Sequence, residues 1–451
     1  MNTISAYIRE QRFRLALVRL CRLANQLDAE GLKPLLRWET LHKGRAEKKA
    51  IDKPAVKEAI NTLEDTADRA PPEEELAAKI GSDPLAWLQA LDHICHLDYV
   101  PGSFAKPLKL TDIDAEFWLM PRLPQAAASA RKTQFGNLEH WLSHHRVVPT
   151  RLNSGLTVDW PGLPHGSADT LSRHLRKPTL KVAIAQLHDG VDIEVAPTPP
   201  SHFRVTGLSN EETRYNSVLS ILEAAHCKQA DILVLPELTI TNTLRRRIAD
   251  LLFDQEDLAE KPFAIPLIVL GSFHEPSAER WRNHSQLVSG LTGDRLLSCD
   301  KRCPVSYCPP PGTSPLSETL STAPTPFSVL DTPLGLIALA ICKDLFDGAV
   351  SQALDELGPD WILVPSMSDS LAPHHDASDR RRKVAGCRVA VANQPMPGGS
   401  AAHGFVLYGK SVFDDGCTDD SQSLHVFELH EDTRAKLEVL PGGKSGKAPK
   451  T

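Results

Sequence analysis

The chain has 451 residues, 41% of them hydrophobic and 24% charged, with a formal net charge of −7. That is the make-up of an ordinary folded protein with room for two domains and a sizeable core, and its acidic balance gives no global attraction to nucleic acid or anionic lipid. No uncharged apolar stretch is long enough to cross a bilayer, so no membrane partner is expected, and the charges in Ile8-Arg9-Glu10-Gln11-Arg12-Phe13-Arg14 break up any leader-peptide core.

Nine cysteines, an odd number and mostly scattered, suit a reducing cytoplasm better than a disulfide framework. Residues 1–135 are predicted to form an all-α domain. Leu15, Val18, Leu20, Leu23 and Leu27 recur at helical spacing among arginines, and two further helical stretches, 53–65 and 73–93, each follow a proline-containing turn. Residues 1–50 hold eleven Lys and Arg against five Asp and Glu, which points to a protein or nucleic-acid partner for this region. Residues 75–84 have the look of the first helix and turn of a helix-turn-helix. The stretch that follows lacks the basic residues of a recognition helix, and Leu85, Trp87, Leu88 and Leu91 read as core, so a structural helical hairpin is expected. Residues 136–178, punctuated by Trp141, Trp160, Pro161 and Pro164, keep no clear period and read as a connector.

The pattern changes at residue 179. The run 180–187 is apolar and β-prone, and a proline-rich loop and a helix over 210–229 follow it. Strand-like runs then alternate with helices at 231–236, 266–271, 286–291, 335–341, 361–365, 388–392 and 404–408. Apolar strands interleaved with helices predict sheets buried under helical layers, here over 179–440. The tail 441–451 has nothing to bury and is expected to be disordered.

Three of the apolar runs end in reactive groups. Leu233-Val234-Leu235-Pro236 delivers Glu237, Leu296-Leu297-Ser298-Cys299-Asp300 delivers Lys301, and the run 336–341 delivers Cys342, followed at once by Lys343-Asp344. A thiol with a carboxylate and an ammonium makes a nucleophile with a base and a countercharge. Cys299, Cys303 and Cys308, with His274 and His284 upstream, offer a competing metal reading. Their spacing lacks a CxxC knuckle, and zinc would quench a neighbouring thiolate, so neither metal nor cofactor is expected. His374, His375 and His403 are read as surface or pocket-lining residues rather than as a partner for Cys342.

The ordered blocks are similar to those of the nitrilase (carbon–nitrogen hydrolase) superfamily over roughly residues 180–435. They comprise the strand ending at Gln186, the block Ala230-Asp231-Ile232-Leu233-Val234-Leu235-Pro236-Glu237, Gly271-Ser272-Phe273, Asn283, Lys301, the run from Leu330 to Gly335 leading into Ile341-Cys342-Lys343-Asp344, Val364-Pro365-Ser366 and Ala392-Asn393-Gln394. The resemblance implies a four-layer αββα sandwich that forms a homo-oligomer. It implies a small amide or nitrile as substrate, and Glu237, Lys301 and Cys342 as a catalytic triad working through a cysteine thioester. Lys301 and the backbone N–H of Lys343 would make the oxyanion hole. Glu318, 24 residues before the cysteine, stands where the family has its second glutamate. Two departures mark a divergent pocket: Lys343 replaces a usually bulky residue, and the segment 304–315 is rich in proline. A different class stays open, a regulator or interaction protein, linked to nucleic acid through its helical N-terminus, in which the same domain senses a ligand or scaffolds an assembly.

Overall fold

The computed structural model describes residues 14–18, 21, 58–59, 84–97, 107–110, 115–121, 142, 144–177, 179–187, 192–198, 201–253, 263–277, 280–307, 314–320, 325–395, 403–408, 411–414, 423–430 and 436–439. The chain divides into two compact units, the first comprising residues 1–124 and 133–151, the second residues 125–132 and 152–451. The predicted disordered tail, Cys308 and most of the helical stretches before residue 84 lie outside the described residues.

In the first unit, helix α1 (Pro84–Leu97) buries Leu88, Leu91, Ile94 and Cys95 along one side. That is the spacing of a helix face turned to a core. Asp92, also buried, accepts the His144 backbone N–H at 2.9 Å and faces His145 Nδ1 at 2.9 Å. The all-α expectation fails here. Strands β1 (Leu108–Leu110), β2 (Ala115–Pro121) and β3 (His145–Pro149) form an antiparallel three-stranded sheet. The reason is local, because Phe117-Trp118-Leu119-Met120 is a short aromatic and apolar run, better suited to a pleated strand than to an amphipathic helix.

The second unit opens with β4 (Val158–Asp159), α2 (His165–Leu175), β5 (Thr179–Gln186), β6 (Ile193–Thr198), β7 (His202–Leu208) and α3 (Glu211–Cys227). Then come β8 (Ile232–Val234), α4 (Asn242–Phe253), β9 (Leu267–Ser277), β10 (Arg280–Val288), β11 (Arg295–Asp300), β12 (Ser306–Tyr307), β13 (Leu316–Glu318), β14 (Phe327–Thr332) and β15 (Gly335–Leu339). A single 3₁₀ turn, Cys342–Leu345, leads to α5 (Gly348–Leu357), β16 (Trp361–Met367), α6 (Ala372–Ala385), β17 (Arg388–Gln394), β18 (Gly404–Tyr408), β19 (Ser411–Asp414), β20 (Ser423–His430) and β21 (Lys436–Val439).

Two seven-stranded sheets carry this unit, in the orders β11-β10-β9-β8-β5-β20-β21 and β19-β18-β17-β16-β15-β14-β4, beside a four-stranded sheet β12-β13-β7-β6. The central pairs β5/β8/β9 and β15/β16/β17 are parallel and the flanking hairpins antiparallel. Central parallel strands are covered on both faces, which is why they are apolar throughout. Val182, Ile184, Val234 and Val269 of the first sheet meet Ile337, Leu339, Leu363, Ala390 and Val406 of the second in one core. The outer face of the first sheet lies under α3 and α4 through Val218, Ile221, Leu222, Leu244 and Ile248. Helix α6 packs on β17 and β18 of the second sheet. The layers run helix, sheet, sheet, helix, so this unit has the expected α/β architecture.

Two boundaries differ from those expected. Within 136–178, β4 pairs with β14 and α2 sends Leu171 and Leu175 into the core between the sheets, so residues from 152 onward are integral to the second unit. A two-residue strand and a helix with two core leucines are too short to show a period. The run 286–291 is strand only to Val288, and Ser289 to Gly293 form the turn into β11, with Ser289 N–H bonded to Asp294 O and Gly293 N–H to Ser289 O.

Candidate active site

The predicted residues reach one place from three strand ends. Glu237 follows β8 in the first sheet, Lys301 follows β11 at the edge of that sheet, and Cys342 follows β15 in the second. Glu318 arrives from β13 of the small sheet. All four are buried, none more than 3% exposed. Lys301 Nζ lies 2.7 Å from Glu237 Oε1 and 2.7 Å from Glu318 Oε2. The Cys342 thiol donates to Met367 O at 3.7 Å and pulls the neighbouring Glu237 down against the rise from burial. The second carboxylate oxygen of Glu237 accepts the Met367 N–H at 2.9 Å, and Glu318 Oε2 accepts the Val305 N–H at 3.1 Å.

Burial and charge push the two carboxylates apart. Burial raises Glu237 above the usual carboxylate range, Lys301 offsets this in part, and the charge of Glu318 adds to the rise. For Glu318, burial also opposes ionisation, but Lys301 and His274 outweigh it and hold the group at about 2. Lys301 loses hydration on burial, yet its two carboxylates keep it protonated, well above the ordinary lysine value. The two carboxylates are thus split, with Glu318 the more firmly ionised and Glu237 the readier to take up a proton. The Cys342 thiol is pushed up to about 12, first by burial and then by the charge of Glu237, with Lys301 pulling it part of the way back. Cys342 at rest is therefore a thiol, and any deprotonation of it would call on a neighbouring base.

The backbone at the nucleophile is strained. Cys342 has φ of 50°, in the left-handed region, at a cost of about 1–3 kcal/mol for a side-chain-bearing residue. Its 3₁₀ turn is tied down on two sides. Asp344 accepts the Cys303 N–H at 2.8 Å and the Arg302 N–H at 3.1 Å, joining the turn to the loop after Lys301. Burial raises Asp344 to about 7 against these hydrogen bonds. From α6, Arg381 donates to Leu345 O at 2.6 Å and to Ser351 O at 2.8 Å. The Lys343 side chain is partly exposed and turns to Pro304 O and the Asp347 carboxylate, each at 3.3 Å, so the residue that departs from the expected bulky type is held at the surface of the turn.

Two further residues complete the charge cluster. Asn283 and His274 are register partners on β10 and β9 and point the same way. Asn283 Nδ2 donates to Glu237 Oε1 at 2.9 Å and to Glu318 Oε1 at 3.0 Å. His274 Nδ1 accepts the Val205 N–H at 2.8 Å, which leaves the ring proton on Nε2, donated to Glu318 Oε1 at 2.9 Å. The sequence offered Asn283 only as part of a strand block and His274 only as a metal candidate. Its signal is the strand alternation that, after pairing, puts both on the face of the glutamates. Of the other metal candidates, His284 Nδ1 is 2.5 Å from Asp300 Oδ1 and Cys299 Sγ faces Leu339 O at 3.6 Å. Among the described residues no three His, Cys, Asp or Glu side chains are grouped to hold a metal. His374 is buried rather than at the surface, while His375 stacks on Phe405 and His403 faces His425. No described helix is long and apolar enough to cross a membrane.

No protein-family model matches this chain, and no curated protein does. Among solved structures it is similar to an amidase from Nesterenkonia sp., with 17% identity over 57% of this chain and 92% of that one, at a TM-score of 0.41. A mutant of the amidase from Nesterenkonia sp. AN1 in complex with butyramide gives 17% identity over 56% and 92%, at 0.41. A mutant of the Nesterenkonia AN1 amidase from the nitrilase superfamily gives 16% identity over 56% and 92%, also at 0.41. The bound amide is a ligand of that protein.

Proposed function

We propose that the second unit is a nitrilase-like carbon–nitrogen hydrolase that cleaves a non-peptide C–N bond of a small amide or nitrile through a thioester on Cys342. The observation that carries this reading is the buried ammonium of Lys301, 2.7 Å from each of two carboxylates, beside a thiol in a strained turn. A structural ion pair needs no nucleophile at its edge, and a structural cysteine needs no base.

For an amide, the steps follow from the residues. Glu237 takes the thiol proton as sulfur attacks the carbonyl carbon. The oxygen that becomes negative is met by the Lys301 ammonium and the Lys343 backbone N–H. Glu237 then returns the proton to the departing nitrogen, the C–N bond breaks, and the acyl group remains on sulfur. Water, deprotonated by Glu237, attacks the thioester. The carboxylic acid leaves, and the proton goes back to sulfur. Glu318, ionised throughout, keeps Lys301 charged and in place.

The test is ammonia release from a panel of short aliphatic amides, with intact-mass detection of an acyl adduct. Wild-type protein should turn over at least one amide, Cys342→Ala should abolish turnover, and Glu237→Gln should accumulate the adduct or fail to form it. No turnover and no adduct across amides and nitriles alike would overturn the reading.

A further inference from the structure

We infer that Ser366 and His374 form a hydrogen-bond relay that orients the Cys342 sulfur and stabilises its thiolate, positioning residues for the reaction proposed above. The inference rests on that reading.

Ser366 lies on β16 between the base and the nucleophile. Its carbonyl accepts the Glu237 N–H at 3.2 Å, and its hydroxyl pulls the Cys342 thiol down against the rise from burial. The next residue, Met367, gives its N–H to Glu237 and its carbonyl to Cys342 Sγ at 3.7 Å. His374, in the first turn of α6, places Nε2 3.1 Å from Ser366 Oγ and packs its ring against Phe346, which directly follows the nucleophile's turn. Ser366 and His374 are both buried, at 0% and 1% exposure.

The chemistry follows from counting protons. The Met367 carbonyl suits an S–H but can only repel a thiolate, so once Glu237 removes the proton the sulfur needs a donor. The Ser366 hydroxyl is a donor in contact with it and can rotate towards it. When its proton turns to sulfur, a lone pair of Oγ faces His374, which must then donate from Nε2. The ring is suited to that. Burial and the nearby Lys301 charge hold it at about 4, so it is neutral and carries one proton at neutral pH. Its buried Nδ1 has no hydrogen-bond partner among the described residues, so the ring's one proton is best used on Nε2. The other charged groups around the sulfur are Glu237, Lys301 with Glu318 behind it, and Asp344 two residues on. Lys301 supplies a countercharge and protonated Glu237 can return its proton, and the Ser366 hydroxyl adds a neutral donor from β16.

The experiment is the pH profile of Cys342 alkylation by iodoacetamide in the full-length protein, followed by peptide mass mapping with the exposed Cys227 as internal reference. It is run on wild type, Ser366→Ala, His374→Phe, His374→Gln and the Ser366→Ala/His374→Phe double variant. The relay predicts that Ser366→Ala and His374→Phe each slow Cys342 alkylation about tenfold at neutral pH and move its profile to higher pH, by weakening a hydrogen bond to an ion. His374→Gln, which keeps a side-chain N–H, should restore part of the rate. The double variant should be no slower than Ser366→Ala, because His374 acts only through Ser366. An unshifted profile in both single variants, or additive losses in the double variant, overturns the relay while leaving the hydrolase reading intact. Where Ser366→Ala does not fold, the contrast between His374→Phe and His374→Gln decides. Wild-type Cys342 that is not alkylated at any pH overturns the reactive-thiol reading and the relay with it, which tells the two failures apart.

Discussion

Lys301 donates to two buried carboxylates at once, and the electrostatics of the site follow from that. Removing the ammonium leaves two anions facing each other out of water, so Lys301→Ala is expected to lower stability by about 3–5 kcal/mol and to cost roughly 10²-fold or more in turnover. Chemical denaturation beside ammonia-release kinetics checks both; an unchanged unfolding midpoint would mean the carboxylates are not held as charges. Glu318 gives a pH signature with a definite sign. Its folded value, about 2, lies below the ordinary 4.5, so its ionised form contributes stability above pH 4.5 that disappears as the pH falls towards 2. The stability gap between wild type and Glu318→Gln should therefore be widest near neutrality and close below pH 4.5, as read from urea unfolding across the pH range. Glu237, Lys301 and Cys342 were legible in the sequence because each follows an uninterrupted apolar run, a purely local signal. Glu318 was legible only by its distance from the cysteine, since its strand is three residues long. Asn283 and His274 were not legible as site residues, because what joins them to the glutamates is the cross-strand register of β9 and β10.

The β14–β15 hairpin and the 3₁₀ turn after it set the position of the thiol. Gly335 closes the hairpin with φ of 96°, and a Cβ there would collide with the Asp360 carboxylate. That carboxylate accepts the Leu336 N–H at 2.8 Å, so Gly335→Ala strains the turn and displaces a buried hydrogen bond together. We expect a loss of at least ~1–3 kcal/mol and slower Cys342 chemistry, measured by thermal unfolding and alkylation rate; a variant unchanged in both would show that the strand end is held by the turn's other ties, Asp344 and Arg381. Helix α3 illustrates an element that the sequence does encode locally. Asn210 caps it by accepting the Thr213 N–H at 3.0 Å, Glu211 and Glu212 sit in its first turn, and its expected span of 210–229 matches 211–227 closely. Strands β1 to β3 carry no comparable punctuation, and β2 pairs with β3 across a long intervening stretch of chain.

Across the whole chain, the decisive boundary is at residue 152. A fragment starting at 178 loses Leu171 and Leu175, both buried between the sheets, and the edge strand β4. Each leucine alone is worth about 2–5 kcal/mol in a core. A fragment of residues 152–440 is therefore expected to unfold cooperatively, and one of residues 178–440 to be markedly less stable or insoluble. Equal stability of the two would place α2 outside the cooperative unit. The α/β character was legible from apolar strands alternating with helices, whereas this early contribution was hidden in elements too short to repeat.

That Cys342 follows a strand of one sheet while Glu237 and Lys301 follow strands of the other has a further consequence. Neither half of the sandwich can assemble the charge cluster around the thiol before the two have docked. A chain caught midway through synthesis or refolding carries an ordinary exposed cysteine, without the carboxylate and the ammonium beside it. The moment at which Cys342 loses the reactivity of an exposed thiol thus clocks the meeting of the two sheets, and a pulse of iodoacetamide during refolding would time it.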